Sequence, residues 1–86
     1  MINKSATHIG KIHWLKTGNI LDLWIGDNSN TGETIVWQKV EGKRDTRVTG
    51  KNIAKLAQEL NVAMNEGDGV WLERNDAALD ALKAYL

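Results

Sequence analysis

The chain contains no cysteine, no proline and no phenylalanine, and it has no excess of charge of either sign. Without cysteine there is no disulfide framework and no thiolate to act as ligand or nucleophile, so packing alone must stabilise the fold. Lysine plus arginine number 11 against 11 aspartate plus glutamate, a formal net charge of zero. That balance argues against a dedicated duplex binder, which usually carries a basic surplus, and against an acidic mimic of nucleic acid. No run approaches the roughly 18 consecutive apolar residues of a membrane span, and Met1-Ile2-Asn3-Lys4-Ser5 is not the start of an apolar leader. The expectation from these absences is a cytoplasmic chain with no membrane contact.

What is present fits one compact α+β domain over residues 1–86. A chain of this size buries about 60–65% of the surface its unfolded form exposes, enough for one modest core. Four tryptophans against a single tyrosine concentrate the aromatic content in one residue type.

The most informative stretch runs from Val48 to Leu72. Thr49 is placed to cap a helix, with Val48 and Ile53 as a hydrophobic staple at its start. Ile53, Leu56, Ala57, Leu60 and Met64 then recur on one helical face, and Gly67 stops the helix. After Asp68-Gly69, the residues Val70-Trp71-Leu72 read as a short strand. Upstream, three strands are expected at Thr7–Leu15, Ile20–Ile25 and Glu33–Val40, with a short charged one at Arg44–Val48. Gly10 signals a bulge or a close backbone approach; a bulge would move Ile9 to the side of Ile12 and Trp14. Leu21, Leu23 and Ile25 are expected to face the core, opposite Ile20, Asp22 and Trp24. Asn75 or Asp76 caps a last helix whose surface is apolar nearly all round, which suggests burial on more than one side. The fold expected is a mainly antiparallel sheet of four to five strands, order β-β-β-β-α-β-α, with both helices on one face.

Several stretches have partial chemical signatures. Asp27-Asn28-Ser29-Asn30-Thr31-Gly32 resembles the first half of an EF-hand calcium loop. Its twelfth position is Gln38 where a bidentate glutamate is needed, so a solvated hairpin turn is the better reading. Gly50-Lys51 lacks the upstream glycine and the following Ser or Thr of a phosphate loop. Residues 53–62 look like the first half of a helix-turn-helix, but Met64-Asn65-Glu66-Gly67-Asp68-Gly69 brings no basic side chain where a recognition helix should start. His8 and His13 fall on opposite faces of a regular strand and share no metal unless a bulge brings them round. No catalytic constellation, metal site or cofactor is expected.

Two surfaces remain. Trp24 and Trp37 fill a small core lacking phenylalanine, or they present aromatic area to a partner or to unpaired bases. Leu82 and Tyr85 on the last helix are candidates for a homodimer contact. Arg44, Arg47 and Lys51, around the start of the central helix, form a candidate anion or nucleic-acid contact, with a solvated charged edge as the plainer account. The function expected is that of a non-enzymatic protein-interaction module occupying a surface of a larger partner. Phage and mobile-element accessory proteins that inhibit a host system, anti-CRISPR proteins among them, include many domains of this kind, though no motif carries that last step. Nucleic-acid binding through Arg44, Arg47, Lys51 and an exposed tryptophan is the alternative.

Overall fold

The computed structural model describes Ile2 and residues 5–86. Its elements run β1 (Thr7–Trp14), β2 (Ile20–Asp27), β3 (Thr34–Val40), β4 (Thr46–Thr49), α1 (Lys51–Asn65), β5 (Gly69–Arg74) and α2 (Asp76–Lys83). This is the element order expected from the sequence. The strands form one antiparallel sheet in the order β4-β3-β2-β1-β5. Helix α1 therefore connects one sheet edge to the other.

The core lies between the sheet and the two helices. Ile9, Ile12, Leu21, Leu23 and Val36 rise from the sheet to meet Ile53, Leu56, Ala57 and Leu60 of α1 and Ala78, Leu79 and Leu82 of α2. Both helices thus cover the same face, and removal of these apolar side chains from water is the main source of stability in a chain with no cross-links.

Gly10 acts in both of the ways its sequence position suggests. The β1–β2 register shifts between His8 and Gly10, leaving Ile9 as the extra residue, so Ile9 and Ile12 both reach the core. The Ile9 carbonyl accepts the Asn75 N–H at 2.7 Å, tying the bulge to the turn that starts α2. A Cβ on Gly10 would meet the Glu73 carbonyl oxygen and the Trp71 ring, which lies across it. A second irregularity sits in β5: Lys11 faces Glu73 and Ile12 faces Trp71, so Leu72 is unmatched.

Four local expectations are corrected. Thr49 does not cap α1; it belongs to β4, opposite Ile35, and the cap position falls on Gly50 at φ 55° with no side-chain cap. Strand β4 starts at Thr46, not at Arg44, because the turn after β3 extends further. Strand β5 is longer than Val70–Leu72 because β1 supplies partners from Gly69 to Arg74. Helix α2 stops at Lys83 and buries one stripe only, Ala78, Leu79 and Leu82, while Ala77, Ala81 and Ala84 are exposed. Its small residues leave the outer surface in water rather than against a second layer. Ala6 lies close against Gly26 of β2; Met1, Asn3 and Lys4 lie outside the described residues.

Helix α2 is capped by Asn75, whose Oδ1 accepts the Ala78 N–H at 3.3 Å. Asn75→Ala removes this acceptor and leaves the backbone bond to Ile9 in place. The expected loss is about 1 kcal/mol in a urea-denaturation midpoint at unchanged slope.

Candidate functional site

The face of the sheet away from the helices determines what the chain can touch. Cross-strand pairing places Arg47, Trp37, Trp24 and His8 in one row across β4, β3, β2 and β1. A second row holds Lys39, Asp22, Lys11 and Glu73 across β3, β2, β1 and β5. A third brings Ile20, His13 and Val70 together.

In the first row the two tryptophans are direct neighbours, yet their surroundings differ. Trp37 is buried, 3% exposed, although it lies outside the main core. Its ring lies over Gly26, where a Cβ would stand 3.1 Å from Cζ3 and equally close to Ala6. Trp37 is therefore structural and is removed from the expected contact surface. Trp24 is half-buried, and its ring lies 4.9 Å from that of His8 at a 48° tilt. Leu82 is also removed, being 1% exposed among the core side chains. Tyr85 packs half-buried against that same core. Trp24 and Tyr85 consequently lie in different layers, and no single surface joins the four residues.

Arg44, Arg47 and Lys51 are all exposed. Arg47 belongs to the open sheet face opposite Trp37, whereas Lys51 is the first residue of a helix that packs on the other face. The first turn of α1 carries no acidic residue, so a positive helix end with free N–H groups adjoins these cations.

The loop after β2 uses its polar atoms on itself. Asn28 Oδ1 accepts the Asn30 and Thr31 N–H groups at 2.8 and 3.3 Å, and Asn28 N–H donates to the Glu33 carbonyl at 2.7 Å. That is a hairpin turn closed by its own asparagine, the reading preferred over a calcium loop. Helix α1 is likewise continuous from Lys51 to Asn65, leaving no turn for a helix-turn-helix.

One cluster was not legible in the sequence. His8 Nε2 and Asp22 Oδ1 are 2.9 Å apart, and Glu73 joins them so that one ligand atom from each lies within 4.8 Å of the others. The two bulges create this meeting. Without the one at Ile9, His8 and Ile12 would share the core face; without the one at Leu72, Glu73 would follow Trp71 there. The bulge also puts His8 and His13 on one face, but opposite Trp24 and Ile20 respectively, too far along β2 for a shared ligand.

The last feature is the β5 edge. Among the described residues the exposed large hydrophobics are Leu15, Val62, Val70, Leu72 and Leu86, and two of them, Val70 and Leu72, lie on this one strand. The Leu15 N–H donates to Asp68, just before the strand. Leu86 lines a groove of about 140 Å³ shared with Trp71, Met64 and Leu79 and rimmed by Asn61, Arg74 and Lys83. No sequence signal marked this edge, because it depends on which strand lies outermost in the sheet.

Fold and surface together define a small α+β domain with a five-stranded antiparallel sheet covered by helices on one side. No helix among the described residues is long and apolar enough to cross a membrane. Comparison with family models, curated proteins and solved structures finds no match to the chain.

Proposed function

We propose that the chain is a non-enzymatic protein-interaction module whose binding surface is the β5 edge. The observation that carries this reading is that Val70 and Leu72, at 47% and 50% exposure, both lie on one edge strand. An edge strand offers unpaired backbone N–H and C=O groups, and an extended segment of a partner can pair with them. Specificity would come from side chains entering the neighbouring groove floored by Trp71. The opposite edge differs in character: β4 is short, four residues, and carries none of the exposed large hydrophobics. On this reading the partner is a larger cytoplasmic protein, or a second copy of the chain joined edge to edge rather than through buried Leu82. Blocking a partner's surface in this way is also how an accessory inhibitor of a host system would act.

The test compares proteins retained by wild type with those retained by Val70→Glu/Leu72→Glu, using Val62→Glu on α1 as the matched control. Both sites are exposed, so the two variants and wild type should fold alike. The expected result is loss of the retained partner, or of a dimer in light scattering, only in the β5 variant. Equal retention by all three overturns the edge assignment. Salt-sensitive micromolar binding to single-stranded or duplex nucleic acid, lost on replacing Arg44, Arg47 and Lys51, would favour the alternative instead.

A further inference from the structure

We propose that His8, Asp22 and Glu73 form a site for a divalent transition-metal cation of the zinc class on the open face of the sheet. This inference is independent of the β5-edge reading. Three adjacent strands, β1, β2 and β5, each contribute one ligand, and the candidate ligand atoms lie within 4.8 Å of one another. Two ligands on one tetrahedral zinc at about 2.0–2.2 Å stand about 3.3–3.6 Å apart, so the widest separation closes by at most about 1.5 Å, within reach of side-chain rotation.

The donor chemistry selects the metal. Two carboxylates match the double positive charge, and an imidazole nitrogen favours zinc, nickel, copper or cobalt over magnesium and calcium, which prefer oxygen alone. His8 presents Nε2 toward Asp22, and the Trp24 ring, 4.9 Å away at a 48° tilt, restricts the imidazole. Without metal the His8–Asp22 pair is held by a hydrogen bond, which the cation would replace. Glu73 enters no ion pair among the described residues. Both ligating strands that require a phase change obtain it from a bulge, and bulges are over-represented beside functional sites.

Two cations oppose binding, Lys39 across from Asp22 and, between the two carboxylate-bearing strands, Lys11. Lys11 faces both Asp22 and Glu73 across the sheet, and its ammonium forms no ion pair within 4.0 Å of either carboxylate. It therefore repels a cation at the site without occupying it, and its removal should tighten binding. A purely structural polar cluster would show the reverse, losing stability with Lys11 and gaining no ligand.

The experiment titrates chelator-treated protein with zinc chloride by calorimetry while following tryptophan emission, which Trp24 makes sensitive to events at His8. Wild type should bind one zinc per chain. His8→Ala and Glu73→Gln should each weaken binding about tenfold or more, Lys11→Gln should strengthen it several-fold, and His13→Ala should leave it unchanged. Thermal melts in chelator show that each variant folds, and added zinc should raise the melting temperature of wild type but not of His8→Ala. Absence of saturable binding below about 1 mM zinc overturns the proposal, as does binding indifferent to both ligand variants. Magnesium binding as tightly as zinc would also overturn it, because the imidazole would then not be a ligand.

Discussion

Gly10→Ala is expected to lower the stability by about 3 kcal/mol, on the order of 12–24 °C in melting temperature for a domain of this size. The added methyl has nowhere to go. It would collide with the Glu73 carbonyl oxygen and stand 2.7 and 3.0 Å from two carbons of the Trp71 ring. The ring can shift, but the carbonyl belongs to a strand paired with β1 and moves only if that pairing opens. The cost is steric and not conformational, because Gly10 is absent from the positive-φ glycines of the described chain. Gly18 provides the contrast. Its φ is 74° and a Cβ there would meet nothing within 4 Å, so Gly18→Ala should cost only about 1 kcal/mol of backbone strain. Urea denaturation of both variants checks the pair. A smaller loss for Gly10→Ala than for Gly18→Ala would refute the close approach of β1 and β5.

Trp37→Ala carries the other large effect, an expected loss of about 3–5 kcal/mol. The ring is 3% exposed on a sheet face that no helix covers, packed over Gly26, which Ala6 also approaches. Removing it leaves a cavity between β2 and that segment, and the neighbours can refill it only in part. Trp24→Ala should cost less, because Trp24 is half-buried and loses chiefly its contacts with His8 and Trp37. Acrylamide quenching gives an independent check: the emission lost in Trp37→Ala should be the shielded component. A variant within 1 kcal/mol of wild type would return Trp37 to the surface.

The two cases show where sequence reasoning reaches its limit. Gly10 was identifiable in advance because a glycine inside an apolar strand has few explanations, and both of those available apply here. Trp37 was not assignable, since β3 has apolar residues on both faces and parity alone does not say which is covered. Its burial depends on Gly26, eleven positions upstream, and on Ala6, which reaches β2 only in the folded chain. Leu82 followed the opposite course: its place on an apolar helix was read correctly, but an apolar stripe is equally suited to a core and to a partner.

The sequence by itself determined the order of a sheet of four to five strands and two helices, the helix face of α1, the hairpin turn around Asn28 and an irregularity at Gly10. These depend on periodicity and turn chemistry within a few residues of one another. Tertiary structure alone decided that β5 is an exposed edge, that Trp37 is enclosed, and that His8, Asp22 and Glu73 meet. The physical reason is the two bulges: each reverses the alternation of side chains along its strand, and so delivers His8 and Glu73 to a face that regular strands would have denied them.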